Sequence, residues 1–146
     1  MASRSAPLFP DMNQYLFVYG TLRPSLATAE SAKLVRRMLW VGAASAPGRL
    51  YDLGEYPGAV LDPNDDRKVA GEVFQLPNGG VTLAALDAYE GYDPRNSSDC
   101  MFVRREAEVM LENGDRLQCW VYVYTGRISP SMVIRSGDYL ARLQDL

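Results

Sequence analysis

The sequence predicts an α+β fold: a small mixed β-barrel with a few short flanking helices. Two observations support this prediction. Met101–Leu111 and Arg116–Tyr124 are rich in strand-forming residues, and the Asn113-Gly114 pair between them is a strong hairpin signal. In the second of these segments both alternating faces are apolar, which suits a closed or strongly curled sheet better than an open one.

Further strands and a helix are predicted in the N-terminal half. Tyr15–Gly20 is a short aromatic and β-branched run that predicts a buried strand. Thr21–Pro24 predicts a loop, because a proline disfavours helix in the residue before it. A helix is then expected over Ala29–Trp40, with apolar residues on one face. Strands follow, separated by turn-forming residues, at Arg49–Leu53, Gly58–Leu61 and Lys68–Leu76.

Two more helices are predicted in the C-terminal half. Val81–Glu90 predicts a short helix that Gly91 ends in a left-handed conformation. A polar, exposed loop is expected over Asp93–Asp99, and a last helix near Ser136–Gln144. The 146 residues are a one-domain length, so residues 1–14 are expected to be a flexible leader and residues 15–146 a single domain.

Composition excludes several function classes. The net charge of −3 argues against a nucleic-acid partner. Without histidine, the chain cannot use Ser-His-Asp or Cys-His catalysis or an imidazole metal site. Two cysteines are too few for a disulfide framework, and Cys119 is expected to be a buried core thiol. Since no apolar run approaches the roughly 20 residues that span a bilayer, we expect no membrane association and a cytoplasmic setting.

Glu90 is the candidate catalytic residue. At about 100° per residue it falls between Leu83 and Leu86 on the apolar stripe of the predicted helix. Burial there, together with the negative end of the helix dipole, would raise its pKa toward the range in which a general acid/base works. The structural alternative is a glutamate that bends out to solvent or pairs with Arg104 or Arg105.

The turn Tyr19-Gly20-Thr21-Leu22 is the candidate binding element. A buried strand that ends in glycine and turns sharply leaves successive backbone N–H groups free to bind a carboxylate or an oxyanion. Gly20 permits unusual backbone angles and lets a ligand approach the chain closely. The alternative is an ordinary turn from strand to loop.

Four sequence blocks resemble the gamma-glutamylcyclotransferase-like, or avirulence-induced-gene-like, family. The first is Phe17-Val18-Tyr19-Gly20-Thr21-Leu22-Arg23-Pro24, similar to the Tyr-Gly-[Ser/Thr]-Leu signature of that family. The others are Gly48–Gly58, Leu86-Asp87-Ala88-Tyr89-Glu90-Gly91 and the strand pair that contains Phe102-Val103-Arg104 and Trp120–Tyr124. Phe102 stands where many members have tyrosine, and the loop from Tyr92 to Met101 is longer than in compact members.

The resemblance implies a barrel enzyme that cleaves small-molecule γ-glutamyl amides to 5-oxoproline and a free amine. Glu90 would act as base and then as acid, and the backbone amides of Tyr19 to Leu22 would receive the substrate α-carboxylate or the oxyanion. Arg104 and Tyr124 are further candidates for substrate binding; the structural alternatives are an ion pair for Arg104 and core packing for Tyr124. This chemistry needs no metal and no cofactor. The resemblance identifies neither the leaving amine nor the oligomeric state.

Two other functions remain open from the sequence. One is a non-catalytic domain of the same fold that binds a small molecule, suggested by Phe102 and by the long loop. The other is a related amide-bond transferase in a biosynthetic pathway, which would use an acceptor other than the substrate's own amine. A fold alone does not decide among these functions.

Overall fold

The computed structural model describes residues 14–144. The helices and strands follow in chain order as β1 (Tyr15–Val18), α1 (Ala29–Val35), β2 (Leu39–Asp52), β3 (Pro57–Leu61), β4 (Lys68–Gln75), α2 (Val81–Glu90), β5 (Phe102–Leu111), β6 (Arg116–Tyr124), β7 (Val133–Ile134) and α3 (Tyr139–Gln144). The predicted leader, residues 1–14, lies outside the described residues except for Gln14. None of the helices described is long and apolar enough to cross a membrane.

Five strands close into a mixed barrel in the order β2-β4-β1-β6-β5, which confirms the predicted fold class. The barrel closes where β5 pairs with β2, at Ala44↔Leu111 and Ser45↔Met110. β1 runs parallel to β6 and antiparallel to β4. The second half of β2 leaves the barrel and pairs with β3 and β7.

β6 buries side chains on both of its faces, as its sequence predicts. Cys119 and Val121 are fully buried and belong to one core cluster, together with residues of β2, β4 and β5. Tyr122 belongs to a second cluster, which includes Leu86 of α2 and Leu34 of α1. α1 and α2 therefore pack against the barrel through the second cluster, whereas Tyr139 of α3 belongs to the first, and this brings α2 next to the end of β1.

The bounds of α2 agree with the prediction. Gly91 follows the helix at φ 72°, in the left-handed region where glycine is favoured. Its N–H donates to the carbonyl of Ala88, and the N–H of Tyr92 donates to the carbonyl of Asp87 at 2.8 Å. These bonds satisfy the last carbonyls of the helix and fix the direction in which the chain leaves Glu90.

The prediction of a helix from Ala29 to Trp40 is wrong in its second half. The helix starts as expected, with a reciprocal cap between Thr28 and Ser31, but it ends at Val35. Leu39 and Trp40 instead begin β2 and pair with Gln75 and Phe74 of β4. The sequence also gave no indication that β2 extends through residues 41–48. Pairing with a distant strand prevailed over local helical periodicity here, as tertiary contacts often do.

Candidate functional site

A cavity of about 600 Å³ lies between the end of β1 and the end of α2. One side is formed by the segment Tyr19–Leu22, called the site loop below, and another by Glu90 with its neighbours in α2. Asp99 to Phe102 contribute the rim on the β5 side. The structure therefore brings the two main sequence-predicted features, which are about 70 residues apart in the chain, to one cavity.

The site loop lines this cavity and contains backbone amides without an acceptor among the described residues. It is closed by a turn in which the N–H of Arg23 donates to the carbonyl of Gly20 at 2.9 Å. Within residues 14–144, no turn, loop or side-chain acceptor bonds to the amides of Gly20, Thr21 and Leu22. A carboxylate or an oxyanion could accept hydrogen bonds from such donors.

Gly20 lies close to Pro57 and does not have an unusual backbone conformation. It is absent from the positive-φ residues of residues 14–144, so the expectation of unusual backbone angles is wrong. A Cβ at this position would lie 3.0 Å from Cγ of Pro57 and 3.1 Å from its Cδ. The close approach is therefore to β3, and it holds the loop against the barrel.

Two side chains of the loop region anchor it. Thr21 Oγ1 and the hydroxyl of Tyr89 are 3.0 Å apart, which connects the loop to α2. Arg23 is 7% exposed and pairs with Glu72 at 3.1 Å and with Asp138 at 2.8 Å. Removing a partner from such a sheltered ion pair is costly, so the path of the chain after the loop is firmly set.

The hydroxyl of Tyr19 is engaged within the protein. It donates to the carbonyl of Tyr122 at 2.5 Å and accepts from the N–H of Ala59 at 3.2 Å. Burial is the main cause that raises the pKa of Tyr19 above its ordinary value, and nearby Glu90 raises it further. Tyr19 therefore stays protonated and joins β1, β3 and β6 at the base of the cavity.

Glu90 is the last residue of α2 and is partly buried on the cavity surface. Among the residues that the structure describes, none forms a hydrogen bond or an ion pair with its carboxyl group. Burial raises the pKa of Glu90 from 4.5 to about 7. Near neutral pH this group can therefore both accept and donate a proton, which is what a general base that later acts as an acid requires.

The chain matches a known protein family over most of its length. The family model described as gamma-glutamyl cyclotransferase, AIG2-like, matches residues 16–141. The chain belongs to this family. It is 31% identical over 134 residues to the gamma-glutamylcyclotransferase family protein YtfP of Escherichia coli K12, a match that covers 87% of this chain and 96% of YtfP.

Solved structures share the fold of this family member. An AIG2-like protein from Mus musculus superimposes with a TM-score of 0.66 at 24% identity, covering 87% of this chain and 88% of that one. YkqA from Bacillus subtilis gives a TM-score of 0.67 at 22% identity, covering 92% of this chain. This chain spans 44% of YkqA, so that protein is more than twice as long.

Two of the predicted substrate-binding residues do not reach the cavity of this family member. Arg104 points to Asp87, with Nε to Oδ1 at 2.8 Å and Nη2 to Oδ2 at 3.2 Å, and no ion pair joins it to Glu90 within residues 14–144. Tyr124 packs its ring against Phe102, with the centroids 5.4 Å apart, and lies outside the cavity lining. The alternation of side chains along a strand predicts the face on which each of these residues lies, but it does not predict which neighbouring side chain each one contacts.

Several cavity residues were missed by sequence reasoning. Tyr122 lines the cavity, and its hydroxyl donates to Asp87 at 2.6 Å. The aromatic side chains that alternate along β6 indicate this face of the strand, but the residue predicted from it to bind substrate is Tyr124 and not Tyr122. Tyr56 packs edge-on against Phe102 at 5.8 Å, and both line the cavity. Nothing in the local sequence distinguished Tyr56 from a core aromatic residue.

Cys119 is a core residue and the segment after α2 is exposed, as the sequence predicts. Cys119 is fully buried, and burial raises the pKa of its thiol to about 12, which agrees with a core role. The predicted Asp93–Asp99 loop is exposed and contains a 3₁₀ segment over Pro94–Asp99. Its end, together with Cys100 and Met101, forms part of the cavity rim.

Proposed function

We propose that the protein converts γ-glutamyl amides to 5-oxoproline and a free amine, with Glu90 as the acid/base. The observation that carries the proposal is that a carboxyl group with a pKa of about 7 shares one cavity with the unbonded amides of the site loop. Membership of the gamma-glutamyl cyclotransferase, AIG2-like family supports the same reaction.

In the proposed reaction the nucleophile is part of the substrate. Ionised Glu90 takes one proton from the α-ammonium group, and the resulting amine attacks the γ-carbonyl carbon to close a five-membered ring. Glu90 returns that proton to the leaving nitrogen, and the bond between this nitrogen and the former carbonyl carbon breaks. The ring nitrogen loses a second proton, which ends on the released amine. One residue thus serves as base and then as acid.

The site loop would bind the charges of the substrate and of the intermediate. The backbone N–H groups of Gly20, Thr21 and Leu22 can donate hydrogen bonds to the α-carboxylate or to the oxygen that becomes negative during attack. Because both reacting groups are in one molecule, the protein mainly has to hold a reactive conformer in place. Ionised Glu90 would also attract the α-ammonium group and so help to orient it.

The test is product formation from a panel of γ-glutamyl amides, with 5-oxoproline detected by mass spectrometry and enzyme-free samples to correct for spontaneous cyclisation. Glu90→Gln is expected to remove the activity, and Glu112→Gln, a change at an exposed carboxyl in the β5–β6 turn, to retain it. Absence of product from every substrate would overturn the proposal. Full activity of Glu90→Gln would exclude Glu90 from the reaction.

The pH dependence provides a second test of the same role. A base must be ionised before it can accept a proton, so kcat/KM is expected to rise as pH increases through about 7, the pKa of Glu90. A profile that is flat between pH 6 and pH 8 would contradict the assignment of Glu90 as the base. The small-molecule substrate, the absence of a nucleic-acid partner and a cytoplasmic setting remain predictions.

A further inference from the structure

The Arg104–Asp87 ion pair joins β5 to α2. The two side chains are 16% and 14% exposed, and the guanidinium donates two parallel hydrogen bonds to the carboxylate. The guanidinium carbon also lies 4.2 Å from the ring centroid of Trp120 and 5.7 Å from that of Tyr92. Paired and stacked arginine of this kind has little freedom to move.

Asp87 connects this pair to the cavity. Its Oδ1 also accepts from the hydroxyl of Tyr122 at 2.6 Å, and Tyr122 lines the cavity. The carbonyl of Tyr122 in turn accepts from the hydroxyl of Tyr19, the first residue of the site loop. A chain of hydrogen bonds thus runs from Arg104 on β5 through α2 and β6 to the site loop.

Glu90 follows Asp87 by three residues on α2, a spacing that places two side chains on neighbouring positions of one helix face. Burial is the main cause that raises the pKa of the Tyr122 hydroxyl; Asp87 and Glu90 raise it further, while Arg104 lowers it. Tyr122, which lines the cavity, therefore lies within electrostatic range of Asp87, Arg104 and Glu90.

On the basis of the function proposed above, we propose that Arg104 is a positioning residue. Its ion pair with Asp87 fixes the last turn of α2 on the barrel, and its positive charge prevents Asp87 from acting as a second negative charge beside Glu90. Arg104 would thus act through Asp87 on Glu90 without touching substrate. This replaces the substrate-binding role expected for Arg104 from the sequence.

Other groups that face Glu90 do not provide this compensation. Within residues 14–144, no lysine or arginine lines the cavity. Asp99 on the rim is a further carboxyl, so it adds negative charge. The titratable residues that line the cavity with Glu90 are Tyr19, Tyr56, Tyr89, Asp99, Cys100 and Tyr122.

The test combines charge variants with a direct titration of Glu90. Arg104→Gln removes the cation, Asp87→Asn removes the anion, and the double variant removes both. Arg105→Gln is the matched control, because Arg105 is the next residue of β5, is exposed and has no ion pair within the described range. Glu90 is titrated by NMR in protein with ¹³C-labelled glutamate, its signal being assigned by its absence from Glu90→Gln.

The single variants are expected to shift the titration of Glu90 in opposite directions. Arg104→Gln should raise the midpoint by about half a pH unit or more, because it leaves the charge of Asp87 uncompensated three residues before Glu90 in the same helix. Asp87→Asn should lower the midpoint, and the double variant should return it toward the wild-type value. Arg105→Gln should leave it unchanged. A variant that merely loosened the fold would not give shifts of opposite sign.

Arg104→Lys separates charge from geometry. It keeps the cation but not the two parallel bonds, so the midpoint of Glu90 should stay near wild type while kcat falls roughly tenfold with little change in KM. The inference is overturned if Glu90 titrates identically in the wild type, Arg104→Gln and Asp87→Asn. If the wild type forms no 5-oxoproline at all, the proposed function fails, and the titration still decides whether Arg104 controls Glu90.

Discussion

Replacing Glu90 by glutamine is expected to stabilise the protein at pH 8 while removing its activity. The folded state raises the pKa of this carboxyl from 4.5 to about 7, so holding it ionised in the cavity opposes folding. That difference corresponds to about 3 kcal/mol when the group is ionised in both the folded and the unfolded state. Glutamine has nearly the same shape and no charge, so the variant should recover much of this free energy.

The sign of the pH dependence follows from the raised pKa. The folded state binds the proton more tightly than the unfolded state, so the penalty is fully present above about pH 7. It decreases as pH falls toward 4.5, where the unfolded chain also takes up the proton. The stability difference between Glu90→Gln and the wild type should therefore be up to about 3 kcal/mol at pH 8 and below about 1 kcal/mol at pH 5.

Urea unfolding at pH 8 and at pH 5 measures these differences. Wild type, Glu90→Gln and the exposed control Glu112→Gln are compared at each pH, and the control should match the wild type at both. The reasoning is refuted if Glu90→Gln is no more stable than the wild type at pH 8. A gain of equal size at both pH values would mean that glutamine packs better, and that charge burial is not the cause.

Three other changes test separate parts of the structure. Gly20→Ala should lower kcat/KM roughly tenfold in the 5-oxoproline assay, because the new Cβ would lie 3.0 Å from Pro57 and displace the site loop. Unchanged kinetics would show that the loop tolerates the substitution. Arg23→Met should lower the free energy of unfolding by about 2 kcal/mol in urea, since it removes the buried cation from sheltered Glu72 and partly exposed Asp138. A loss within error would contradict this. In native protein at pH 8, a thiol reagent should modify Cys100 but not Cys119, which is fully buried, whereas in urea it should modify both. Rapid modification of both thiols in the native state would be inconsistent with the core position of Cys119.

Features that depend on local chemistry were predictable from the sequence. The bounds of α2 agree with the prediction because Gly91 ends the helix through its own backbone conformation. The β5–β6 hairpin follows from Asn113-Gly114, where the glycine has φ 94°. A carboxylate on an apolar helix face is unusual whatever lies opposite to it, so the sequence alone indicates Glu90 as a candidate, and the structure places Glu90 at the cavity.

Features that depend on distant partners could not be predicted. The end of α1 and the first half of β2 are set by pairing with β4, from Leu39↔Gln75 to Ser45↔Ala70, partners that are 25 or more positions apart in the chain. Arg104 was correctly noted as a charged residue on a strand, but the sequence did not show that Asp87 would engage it. The buried position of Arg23 likewise depends on Glu72 and Asp138, which come from separate parts of the chain.

The position of β1 in the barrel has a consequence for biosynthesis. The first strand is bonded on one side to β4 and on the other to β6, with Leu16 opposite Trp120, so one of its edges stays open until most of the chain has been made. Contacts between segments so far apart form slowly, and an exposed strand edge can pair with other chains. A nascent chain that stops before Arg116 would therefore carry an unsealed edge right beside the site loop. We expect such a fragment to aggregate or to recruit chaperones rather than to bind substrate.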